Sequence, residues 1–140
     1  MFETSVAVAA PAEQVWAVLV DVERAPEWTA SMTDVKLLGD GPLALGSRVR
    51  IKQPRLPAVV WQVTSLEPGR SFSWKAGGPG FTTIGEHLVT ADGPGRATAT
   101  LGIRRAGPLA AVADLLFGRV DRRYVTMEAE GLKRRTEGAR

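Results

Sequence analysis

The stretch VVWQVTSLEPGRSFSW, Val59–Trp74, decides the fold. Val59, Trp61 and Val63 alternate with Val60, Gln62 and Thr64, the period of a strand with one face turned inward. Glu67-Pro68-Gly69 breaks the run, and Phe72 and Trp74 then share one face beyond it. Two short alternating runs joined by a Pro-Gly turn predict an antiparallel hairpin. The pattern repeats outward. Gly77-Gly78-Pro79-Gly80 and Asp92-Gly93-Pro94-Gly95 join runs over Phe81–Ala91 and Arg96–Arg105. Upstream, Ser47–Gln53 places Val49, Ile51 and Gln53 on one face and Arg48, Arg50 and Lys52 on the other. Val35–Leu38 precedes it across Gly39-Asp40-Gly41-Pro42, and Phe2–Val8 begins the chain as a first strand.

The period changes at both ends of this run. Behind the first strand, Pro11 opens a helix at its first position with Ala10 as a poor cap, and Val15, Trp16, Leu19 and Val22 keep helical spacing. A second helical turn is expected from Asp21 to Ala25, stopping at Pro26. After Gly107-Pro108, apolar residues recur at Leu109, Val112, Leu116, Val120, Tyr124 and Met127, followed by Gly131. These steps of three and four predict one long helix with that stripe inward. Gly118 marks an expected bend or break.

The predicted order is strand, two short helices, a run of strands to a total of six or seven, then one long helix. This is an α+β layout with the helix on one face of a curved antiparallel sheet. A helix across a concave sheet leaves a cavity between them. Residues 1–137 are expected to form a single domain, with 138–140 a frayed tail.

Composition narrows the function classes. The 140 residues suffice for a core without staples, and the absence of cysteine excludes disulfides and thiolate metal sites. A net charge of +3 is too mild for a nucleic-acid binder, and Arg48, Arg50 and Lys52 read as the wet face of a strand. No run approaches the ~18 apolar residues of a membrane span, and the N-terminus lacks a signal-peptide pattern, so a cytoplasmic protein without stable membrane insertion is expected.

Four stretches resemble the START-like, or SRPBCC, superfamily, and within it the bacterial polyketide cyclase/dehydrase and lipid-transport group. They are Pro11-Ala12-Glu13-Gln14-Val15-Trp16 with Pro26-Glu27-Trp28; Gly46-Ser47-Arg48-Val49-Arg50 leading to Gln53-Pro54; Val60–Arg70 running on to Phe72-Ser73-Trp74; and the terminal helix ending Glu130-Gly131-Leu132-Lys133. The resemblance implies a helix-grip fold around a ligand cavity, with the region of Trp28 at one end of its entrance. It also implies that a histidine is common on the strand carrying His87.

Each candidate has a plain reading beside the functional one. Trp61 and Trp74 fill the core or stack on a flat ligand. His87, the only histidine, is a hydrogen-bonded structural residue or a general acid/base; parity groups it with Phe81, Thr83 and Val89 and leaves its face open. Tyr124 packs against the sheet or aims its hydroxyl inward as a second catalytic candidate, and Met127 supplies an adaptable wall. Gln53, a polar residue on an apolar face, needs a partner in a ligand or in loop backbone. Val49, Ile51, Phe72, Leu116 and Val120 complete the expected wall, with Trp28 as a cover. Arg104 and Arg105 end the last strand and read as salt-bridge partners. With one histidine and no cysteine, no metal site or cofactor is expected.

Three functions follow. The first is binding of a small hydrophobic molecule such as a lipid, an isoprenoid or a polyketide-like aromatic. The second is a cyclase, aromatase or dehydratase that uses the same cavity. The third is a protein-interaction role, as a chaperone cofactor or a ribosome-associated factor, through the wet strand face or Lys133-Arg134-Arg135. A monomer or weak homodimer is expected in each case.

Overall fold

A computed structural model describes residues 1–138. Seven strands form one antiparallel sheet: β1 (Phe2–Val8), β2 (Asp34–Leu38), β3 (Arg48–Lys52), β4 (Val59–Glu67), β5 (Ser71–Gly78), β6 (Phe81–Gly93) and β7 (Arg96–Ala106). Their spatial order is β1-β7-β6-β5-β4-β3-β2. Strands β2 to β7 are therefore a meander, and β1 adds to its far edge beside β7. Because β1 and β2 lie on opposite edges, the segment between them must cross the sheet. Helix α1 (Ala12–Val20) and a 3₁₀ turn (Val22–Glu27) make that crossing. The 3₁₀ turn runs through Pro26 instead of stopping before it. Pro11 is the residue before α1 and not its first turn; its carbonyl accepts the Gln14 and Val15 N–H groups.

The hairpin read from Val59–Trp74 is present: Val63 pairs with Trp74, and Leu66 with Phe72. The register shifts between Val63 and Ser65, a bulge that bends β4 and sharpens the twist. Inward faces follow the expected alternation, with Val49, Val63 and Phe72 almost wholly buried. The β5–β6 turn needs Gly80, whose φ of 79° lies in the left-handed region.

Helix α2 (Ala110–Gly138) is continuous, so there is no break at Gly118. It continues through Gly138, and the rest of the expected tail lies outside the described residues. Its far half is packed hardest: Ala129 and Leu132 are fully buried, and a Cβ on Gly131 would overlap the carbonyl oxygen of Trp28. Only a glycine lets the helix approach that backbone so closely.

Candidate functional site

A cavity of about 300 Å³ lies between the concave face and the Phe117–Glu128 stretch of α2. That volume stands at the small end of ligand pockets. Its rim includes exposed Pro57 from the β3–β4 loop and exposed Gly77 from the end of β5. Loop residue Arg55 holds a φ of 67°, inside a turn closed by the Leu56 N–H donating to the Gln53 carbonyl. The Tyr124 hydroxyl donates to the Pro54 carbonyl at 2.5 Å and ties this loop to α2.

Of the expected wall, Ile51, Gln53, Trp61, Trp74, Val120 and Tyr124 line the cavity, and so does His87. The Trp61 and Trp74 rings lie 5.9 Å apart at 39°. Trp74 fits because its partner across β5 and β6 is Gly85: a Cβ there would stand 2.7 Å from the indole Nε1. Other candidates lie elsewhere. Val49 and Phe72 belong to the core and do not line this cavity. Trp28 borders a small separate void of about 10 Å³ beyond His87 and Glu128, so it sits at the closed end and not at the entrance. Its indole Nε1 is buried and finds no partner among the described residues.

Leu116 is 71% exposed and points to solvent, and Val112 is exposed beside it. Met127 is half-buried and does not line the cavity. One physical cause explains both corrections. The inward stripe is Ala113, Phe117, Asp121, Tyr124, Glu128 and Leu132, which includes two acids that an apolar-only reading skips. Asp121 is carried inward by Arg105. The guanidinium meets it through two bonds, of 2.6 Å and 3.0 Å, and reaches Asp114 at 3.1 Å. Arg105 thus fills the expected salt-bridge role at the cavity wall, and Arg104 does so on the outer surface with Glu86 at 3.0 Å.

Glu128 is the residue the sequence reading missed. Its carboxylate stands 3.6 Å from His87 Nε2, and both line the cavity. The buried His87 ring stacks on Phe72, with centroids 4.1 Å apart, and meets Trp74 edge-on. His87 Nδ1 lies 3.2 Å from the Phe72 carbonyl. A carbonyl only accepts, so Nδ1 carries the proton, and the lone pair of Nε2 faces Glu128. Burial pushes the histidine down to about 4, against the opposing pull of the Phe72 carbonyl. Burial likewise pushes Glu128 up to about 7. Both groups are driven toward their neutral forms. The two polar atoms point at each other across a gap too wide for a hydrogen bond.

Family comparison agrees with this architecture. Residues 1–137 match the polyketide cyclase/dehydrase and lipid transport family. The chain belongs to that family. Among solved structures, an aromatase/cyclase, ZhuI, from Streptomyces sp. R1128 is 22% identical, with 97% of this chain and 92% of that chain covered and a TM-score of 0.75. A START superfamily protein from Mycobacterium smegmatis is 17% identical, covers 99% of this chain and 98% of its own, and has a TM-score of 0.73. At these identities the likeness establishes the START-like helix-grip fold and nothing about chemistry. No curated protein matches the chain. No helix among the described residues is long and apolar enough to cross a membrane. The described residues hold no cluster of His, Cys, Asp and Glu suited to a metal ion.

Proposed function

We propose that this family member binds a small hydrophobic molecule bearing one hydroxyl or carbonyl group. The observation that carries the reading is a cavity walled by Trp61, Trp74, Ile51 and Val120 with a polar pair, His87 and Glu128, set 3.6 Å apart in its wall. The apolar wall supplies affinity through burial, at about 25 cal/mol per Å². Nε2 accepts a hydrogen bond, and the Glu128 carboxyl donates or accepts as its protonation dictates. A ligand hydroxyl or carbonyl placed there satisfies groups that do not reach each other. Lipids, isoprenoids and polyketide-like aromatics with such a group all fit this description.

A second reading, cyclase or dehydratase chemistry, is favoured by the same pair. His87 Nε2 would take a proton from a carbon next to a ketone while Glu128 gives its proton to the ketone oxygen. Magnitude ranks this reading below binding. A base with a pKa of about 4 is weak at neutral pH, far from the match that efficient proton transfer needs. Tyr124 is a poorer candidate still, because its proton is committed to Pro54.

Native mass spectrometry of the purified protein, followed by extraction of the bound material, tests the binding reading. A retained apolar compound is expected, and Val120→Trp, which fills the cavity, should release it while the fold persists. A protein that carries nothing, and that shows no thermal shift with hydroxylated apolar compounds, would sink the proposal. Turnover of a poly-ketone analogue that is lost in both His87→Asn and Glu128→Gln would promote the catalytic reading.

A further inference from the structure

The first half of α2 presents a face that neither the core nor the cavity uses. Leu109, Val112, Leu115 and Leu116 are 47%, 53%, 85% and 71% exposed. Leu109 lies just before the first turn; at 100° per residue Val112, Leu115 and Leu116 share one side of the helix, and Arg119, Arg122 and Arg123, all exposed, continue that side toward the middle of α2. Large apolar side chains gathered on one helix face are not ordinary surface, where they are scattered singly.

The patch adjoins the cavity mouth. The Leu109 N–H donates to the Gly80 carbonyl, which fixes the start of the face against the β5–β6 turn. The same helical segment turns Phe117 and Val120 into the cavity. Arg55 is exposed on the β3–β4 loop, whose Gln53, Leu56 and Pro57 line the cavity.

Charge identifies the occupant. The two acids of this segment, Asp114 and Asp121, both reach Arg105 and leave the outward face without a carboxylate from Leu109 to Arg123. The surface offered is therefore apolar, then positive. A second copy of the face would bring more arginine and no acid. An anionic lipid surface supplies both complements, acyl chains for the leucines and headgroup charge for the arginines.

We infer that the exposed Leu109–Arg123 face of α2 docks on anionic lipid surfaces and brings the cavity mouth to the membrane. This docking does not depend on the cavity being filled.

The test is co-sedimentation with phosphatidylcholine vesicles made with and without phosphatidylglycerol. The protein should sediment only with the anionic vesicles, and added salt should weaken the binding. Leu115→Ser/Leu116→Ser should reduce it by about tenfold or more, and each Arg→Gln change at 119, 122 or 123 by about fivefold. Leu115, Leu116, Arg119 and Arg123 are exposed, so thermal melts of those variants should stay unchanged and confirm folding, whereas Arg122 also stands 5.7 Å over the Phe2 ring and its variant is read against that contact. Sedimentation by a protein whose cavity holds nothing in native mass spectrometry would still support docking while the ligand reading fails. A wild-type protein that stays in the supernatant overturns the proposal, as does a double-serine variant that binds equally well. So does a wild-type dimer, seen by light scattering, that the double-serine change dissolves.

Discussion

Two glycines lie in the interior of α2, and a side chain would meet a neighbour at only one of them. A Cβ on Gly131 would overlap the Trp28 carbonyl, whereas a Cβ on Gly118 would meet nothing within 4 Å. Their neighbourhoods differ in the same way. Around Gly131 the helix presents Ala129 and Leu132, both fully buried. Around Gly118 it presents Leu115 and Leu116 to solvent and Phe117 and Val120 to the cavity. The far half anchors the helix on the Trp28 backbone. The near half spans a gap that larger side chains keep open. The near half is held instead by polar ties, Arg105 to Asp114 and Asp121 and the Tyr124 hydroxyl to Pro54, which leave room for a cavity where close packing would not.

Replacing Gly131 is the most direct way to break that contrast. In an ordinary helix Gly→Ala stabilises by up to about 1 kcal/mol. At Gly131 the new carbon meets backbone, which cannot swing aside as a side chain would. Gly131→Ala is expected to cost about 3 kcal/mol and to lower the urea midpoint markedly. An unchanged or higher midpoint would mean that the helix is not anchored where the geometry places it.

The cavity end is probed by pH. Burial lifts Glu128 from its ordinary 4.5 to about 7, so the folded state holds a proton that the unfolded chain has released. This contribution to stability falls as pH rises from 4.5 to 7. His87 is depressed from 6.5 to about 4, so its contribution falls as pH drops from 6.5 to 4. Between 4.5 and 6.5 the two slopes oppose and largely cancel. Each single variant should uncover the other slope, about 1.4 kcal/mol per pH unit. Glu128→Gln should lose stability toward acid, and His87→Asn should lose it toward neutral pH. Parallel pH–stability curves for the two variants would rule out a pair of buried neutral groups.

The same contrast explains what was legible in the sequence. Alternation with Gly/Pro turns announced every strand, because period 2 and turn chemistry are local. Trp61, Trp74, Ile51 and Val120 were found as cavity wall because they are apolar at the right parity. Glu128 was not, because a helical stripe judged by hydrophobicity passes over an acid. The spacing Phe117, Asp121, Tyr124, Glu128 nevertheless keeps steps of four, three and four. What draws Asp121 inward is Arg105, a partner sixteen residues away that only the folded chain brings near. With the stripe turned by those acids, Leu116 and Met127 lost their expected places. Gly85 was equally silent, since its reason for being glycine is an indole on the neighbouring strand.

A smaller effect concerns the latch at the rim. Tyr124→Phe removes one hydrogen bond, to the Pro54 carbonyl, and should cost about 1 kcal/mol. The readout that separates a latch from plain packing is local. Hydrogen exchange should rise at Leu56, whose N–H closes the Arg55 turn, and stay unchanged in β6. A uniform rise across the sheet would mean that the tyrosine supports the whole fold.

Gly118→Ala completes the contrast with the smallest effect and the opposite sign. The helix is continuous there, no neighbour stands within 4 Å of the new carbon, and φ is not in the left-handed region. Alanine therefore removes unfolded-state freedom without strain and should stabilise by about 0.5–1 kcal/mol. The gain is a raised thermal midpoint with cavity binding intact. If Gly118→Ala instead stabilises the protein but weakens ligand binding, flexibility at this position serves ligand entry. The near half of α2 would then be the moving half, pivoting on the contact at Gly131. If both quantities are unchanged within error, Gly118 has no part in the difference between the halves, which then rests on Gly131 alone.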